Sequence, residues 1–295
     1  MLLNTSYKDA MELFPRTKVE DLSLSRMIIG TNWIGGWSHR SVSADKMITE
    51  RHATPATIVP MLETFMEFGV DTIMAPFQQL PQLVAAVKET EDKLGKGMIM
   101  IDTPHMNVDD SPEARKEAEK VIKNSAAIGA KLCLIHHYCA EQLVNKNLHQ
   151  LVRLPDYTAM IRDAGLIPGL SAHMPELITY SDANEYDVQT YIQIYNCMGF
   201  LMQVEIETVN QIIHDAKKPV MTIKPMAAGR TTPFVGLNFS WATIRDCDMV
   251  TVGCFNEREA REDIEISLAA LSHRRANIEK RSSPVANQDA FGKNH

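Results

Sequence analysis

From Ser25 onward, short β-branched or apolar runs alternate with longer segments of helical period. Buried parallel strands read as continuous apolar stretches, so this alternation predicts parallel strands joined by crossover helices. Eight runs stand out, at residues 26–31 (RMIIGT), 70–75, 98–102, 131–136, 166–172, 186–194, 220–224 and 249–253. The helical segments between them carry recognisable ends. Residues 54–69 close on Gly69, residues 111–129 open on Ser111 and Pro112 and close on Gly129, and the last segment opens on Asn256, a residue suited to an N-cap. Eight strand and helix pairs in roughly 250 residues predict an α/β fold, a single (β/α)8 TIM barrel. The barrel is expected over residues 25–273. A short N-terminal extension, residues 1–24, would cap its floor, and a polar C-terminal tail, residues 274–295, would form a mobile tail or an interface arm. An open doubly wound sheet is the alternative, but no GxGxxG follows the first strand.

Composition narrows the function classes. The chain has 295 residues, 45% of them apolar and 23% charged, enough to bury a large core without a second domain. Its formal charge of −7, with no cluster of Lys and Arg among aromatics, argues against nucleic acid or an anionic membrane as partner and favours a small-molecule substrate. The first residues lack the apolar core of a signal peptide, and no stretch approaches the ~20 apolar residues of a membrane span. A cytoplasmic address is therefore expected, with a homo-oligomer left open. Cys133, Cys139, Cys197, Cys247 and Cys254 form no CxxC pair and are odd in number, which suits reduced thiols.

Candidate chemistry collects at the strand ends, because the active sites of such barrels are built from the loops at the C-terminal mouth. The run AKLCLIHHYC breaks into His136 and His137. Side chains alternate along a strand, so only one of the two can face the mouth. We assign that place to His136 and turn His137 toward the helices or a loop carbonyl, although parity alone leaves the inner face open. Asp102 and His105 follow the third strand, His173 the fifth, and Lys224 ends the seventh. Asp102, His105, His136 and His173 make one possible ligand set for a divalent metal, imidazoles with a carboxylate and an open position. General acid/base or hydrogen-bonding roles are the other use of the same residues. Lys224 is either a desolvated, Schiff-base-forming amine or a rim lysine that holds a carboxylate or an anionic group. On the first loop, Trp33 and Trp37 suit stacking on a sugar ring or plugging the barrel top, and Asn32 and His39 lie beside them. Tyr195 and Asn196 end the sixth strand and complete the expected substrate-binding set.

The segments SRMIIGTNWIGG (25–36), CLIHHY (133–138), GLSAHMPELI (169–178), VQTYIQIYN (188–196), KPMAAGR (224–230) and VTVGCFNEREAREDIE (250–265) resemble, in order and spacing, the aldo-keto reductase superfamily. The resemblance implies a (β/α)8 barrel and NAD(P)H-dependent carbonyl reduction. It also implies a catalytic Asp at the end of strand two with a Tyr close after it, a Lys at the end of strand three and a His at the end of strand four. Only His136 matches. Met74 or Ala75 stands in place of the Asp, no Tyr follows, and Pro104 is near the place of the Lys. A nicotinamide cofactor would be expected at Gly229, Arg230 and Asn256, but the segment after strand eight offers Arg258 beside Glu262 and Asp263. In place of most of the tetrad the mouth offers Asp102, His105, His136 and His173, and histidines beside a carboxylate suit proton abstraction next to a carbonyl, as in isomerases, epimerases and lyases acting on a small carbonyl or carbohydrate-like compound. A divergent NAD(P)H oxidoreductase and a non-catalytic sugar-binding barrel are the alternatives.

Overall fold

A computed structural model describes residues 12–278. It opens with a hairpin, β1 (Arg16–Val19) and β2 (Leu22–Ser25), followed by β3 (Met27–Gly30), α1 (Asn32–Gly35), α2 (Val42–Arg51) and α3 (Val59–Glu67). The chain continues through β4 (Thr72–Ala75), α4 (Pro81–Leu94), β5 (Ile99–Asp102), α5 (Pro112–Ala127), β6 (Leu132–Ile135) and the one-turn α6 (His137–Ala140). A small ribbon of β7 (Val144–Asn145) and β8 (Gln150–Leu151) precedes α7 (Leu154–Asp163), β9 (Ile167–Ala172) and α8 (Glu176–Ala183). The order ends with β10 (Tyr191–Ile194), α9 (Ile206–Asp215), β11 (Val220–Ile223), α10 (Pro233–Thr243), β12 (Met249–Gly253) and α11 (Glu257–Leu271). Strands β3, β4, β5, β6, β9, β10, β11 and β12 pair in parallel and close into one barrel, the expected α/β TIM barrel.

Local chemistry fixes the ends of its elements. Ser111 Oγ accepts from Ala114 N at the start of α5, where Pro112 takes the position that needs no donor. Asn256 accepts from Arg258 N and Glu259 N and so caps α11. The expected sixth strand is shorter than its apolar run, pairing only from Tyr191 to Ile194.

Two apolar layers separate along each strand. Ile28, Met74, Ile101, Leu132, Leu134, Ile192, Met221 and Met249 fill the inside of the barrel together with Val19 and Leu24 of the hairpin. The hairpin therefore closes the floor, each buried aliphatic side chain contributing roughly 1.5–3 kcal/mol. The alternate residues, among them Ile73, Met100, Cys133, Ile135 and Val252, face the helices. Asp248, fully buried, accepts from Val220 N and from Arg245 near that floor, a structural network at the end opposite the mouth. No helix among the described residues is long and apolar enough to cross a membrane. Of the expected tail, residues 279–295 lie outside the described residues, as do residues 1–11 of the extension.

Candidate functional site

The mouth holds a cavity of about 390 Å³. Its histidines reach it by two routes. His136 follows the inward residues Leu132 and Leu134 and stays on their face. At this point the strand ends: His136 becomes the N-cap of α6, its Nδ1 accepting from Tyr138 N at 3.3 Å. One residue on, helical turning of about 100° per residue replaces the half-turn of a strand. His137 consequently lines the cavity as well, which revises its expected place among the helices.

The result is a row of imidazoles. Ring centroids lie 3.9 Å apart for His105 and His136, 4.3 Å for His136 and His137, and 3.7 Å for His137 and His173, the last pair stacked. Lys224 reaches the same cavity from β11, with its Nζ 2.8 Å from His39 Nε2. Ile223 is packed among the inward residues, so simple alternation would send Lys224 to the helices. A positive φ of 62° turns it instead, an uncommon conformation for a residue with a side chain.

Burial dominates the electrostatics. It lowers His136 to about 3, helped by the neighbouring imidazoles, and lowers His173 to about 3 and His137 to about 4. His39 and His105 are also lowered, chiefly by burial. Burial brings Lys224 down to about 8. At neutral pH the row is thus uncharged, each ring offering one donor and one acceptor.

Other expected site residues divide between wall and scaffold. Asn32, Trp33, Trp37 and Gly229 line the cavity. Asp102 does not: Ile101 occupies the inner face of β5, and Asp102 points to the helices, where it accepts from Phe77 N at 3.0 Å, Ser125 Oγ at 2.6 Å and Gln78 Nε2 at 3.3 Å. Burial raises its pKa against these hydrogen bonds. Asp102 therefore leaves both the catalytic and the metal set. Tyr195 is buried, its hydroxyl 3.0 Å from Thr243 Oγ1, and Asn196 Oδ1 accepts from Met198 N and Phe200 N. Arg230 stacks over Phe200 at 3.8 Å, and Asn256 is spent on capping α11. None of these four lines the cavity. Sequence reasoning passed over Ser171 and Thr251, both on the wall, although alternation with the inward residues of their strands would have found them.

The barrel superposes on a protein from Pseudomonas aeruginosa described as an aldo-keto reductase with a TM-score of 0.62, at 14% identity, over 90% of this chain and 100% of the other. The chain shares the barrel fold of that protein. An aldo/keto reductase from Brucella melitensis matches with a TM-score of 0.53 at 11% identity, covering 88% of this chain and 99% of its own. No family model and no curated protein matches the chain. Within this barrel, Met74 and Ala75 line the cavity where the resemblance calls for an Asp, and the nearby Tyr138 is 66% exposed and absent from the wall.

One metal-compatible group replaces the expected one. Ligand atoms of His137, Glu141 and His173 all lie within 4.8 Å of one another. Glu141 stands four residues after His137, one turn along the same helical face, and its Oε1 accepts from His173 N at 2.6 Å and Met174 N at 3.0 Å. Two imidazoles and a carboxylate suit zinc or another divalent ion, with Glu141 Oε1 already oriented by backbone donors.

Proposed function

We propose that this barrel is an enzyme that moves a proton on a small carbonyl or carbohydrate-like substrate, an isomerase, epimerase or lyase. The observation that carries this reading is the contiguous row His105, His136, His137 and His173 in one cavity, neutral at physiological pH. One imidazole takes the proton from the carbon beside the carbonyl, and a neighbouring ring gives its N–H proton to the carbonyl oxygen. An enol forms, an enediol where the neighbouring carbon carries a hydroxyl, and reprotonation at the other carbon of the enediol, or at the other face of the same carbon, gives the product. Proton transfer of this kind contributes about 10²–10⁴-fold. Trp33 and Trp37 supply apolar wall against which a sugar-like carbon skeleton packs. A divalent ion held by His137, His173 and Glu141 would polarise the carbonyl oxygen.

The test is incubation of candidate carbonyl compounds with the protein in D2O, followed by NMR. Deuterium should enter the carbon next to the carbonyl without any added nicotinamide. Retention of that deuterium incorporation after chelation would remove the metal clause alone. The fold shared with aldo-keto reductases, together with His136 in the cavity, favours one other reading, NAD(P)H-dependent reduction with His136 supplying the proton. Micromolar binding of NADPH together with no deuterium incorporation would select it.

A further inference from the structure

The cavity wall has an uneven charge. Among the described residues that line it, none is Asp or Glu, whereas Lys224 and five histidines are present. Scarcity of acids is not the cause, because the chain has 37 of them against 30 Lys and Arg. Two acids behind the wall are tied to its backbone. Asp45 accepts from Ser38 N at 2.8 Å and Ser38 Oγ at 2.6 Å, and Glu141 accepts from His173 N and Met174 N. Lys224 meets only His39 Nε2, and among the described residues no carboxylate is within ion-pair distance of its Nζ.

A half-buried ammonium without a counter-charge is unfavourable unless something supplies one. The backbone nonetheless adopts a left-handed conformation at Lys224 that turns the amine inward, a local cost characteristic of functional positions. A second group on the wall is also unmet: Thr251 is 8% exposed, and its Oγ1 has no hydrogen-bond partner.

We propose that the substrate is an anion, carrying a carboxylate or a phosphate ester beside its reacting carbonyl, and that Lys224 is the charge partner of that oxyanion. This rests on the cavity being the substrate site, but not on proton transfer being its chemistry. Isothermal titration of the full chain with pyruvate, dihydroxyacetone phosphate and neutral dihydroxyacetone tests it. At least one anion should bind about tenfold or more tightly than the neutral ketone, since charge-assisted hydrogen bonds are the strong ones. The anion that keeps this advantage identifies carboxylate or phosphate as the group recognised. Lys224→Gln should remove about tenfold or more of that affinity and leave the neutral ketone unaffected. Gln79→Glu changes an exposed wall position, so it folds independently of the Lys224 variant, and it should weaken anion binding alone. Equal binding of all three probes, no anion binding at millimolar concentration, or anion affinity indifferent to both substitutions would overturn the proposal. Anion binding that depends on Lys224 without deuterium exchange would instead refute proton transfer and leave the proposal standing.

Discussion

Asp102 and His136 stand at the ends of neighbouring strands, yet they belong to different parts of the molecule. Asp102 pairs in register with Cys133, and both face the helices, where the buried carboxylate accepts hydrogen bonds from the β4–α4 loop and α5. His136 lies three residues beyond Cys133 on the opposite face and enters the cavity. Similar height on the barrel therefore says little about role, while parity decides it. His137 and Lys224 would both point outward if the strands simply continued, and a helix start and a left-handed residue turn them inward.

Several substitutions sharpen this contrast. On the inner face, His173→Asn should lower turnover by about 10²–10⁴-fold with little change in melting temperature, read by exchange rate and calorimetry on the same sample. On the outer face, Asp102→Ala leaves Phe77 N without its acceptor and Ser125 Oγ with only Val121 O, 3.2 Å away. It should cost about 2–3 kcal/mol in chemical denaturation while ligand affinity holds. Gly236 of α10 joins the two regions, because a Cβ there would sit 2.4 Å from Pro225 O, next to Lys224. Gly236→Ala should destabilise by about 1–3 kcal/mol and, by displacing the loop, weaken anion binding as well. Loss of stability with unchanged anion affinity would show that the loop does not set the position of Lys224. The smallest effect is in pH. Burial lowers Lys224 to about 8, so the ammonium is present at neutral pH and lost above it. Anion affinity should be flat through neutrality and fall above about pH 8, a limb absent from Lys224→Gln.

The barrel was legible because buried parallel strands and amphipathic helices write different periods into the chain, and all eight strands lie where their apolar runs stand. The candidate site was legible only as a set of residue types at strand ends. It was less so as geometry, since alternation holds only while the backbone stays extended. Asp102 obeyed that alternation, and the inward face of β5 was already marked by Ile99 and Ile101. His137 and Lys224 departed from it at the strand termini, where one φ value re-aims a side chain and no periodicity reports the change. The spacing of His137 and Glu141, four residues apart, was the one available sign that a helix had begun. Imidazoles lowered to about 3 or 4 are also weak bases in the cavity as it stands. A bound anion would raise their basicity toward neutrality, linking substrate charge to proton transfer.

Deuterium exchange per folded molecule, measured in parallel for His136→Asn and Asp102→Asn with a melting curve for each, tests the division of the strand ends most directly. His136→Asn should keep its melting temperature and lose exchange, whereas Asp102→Asn should melt lower and exchange as the unaltered protein does. Exchange that survives in the first variant and disappears in the second would contradict that division.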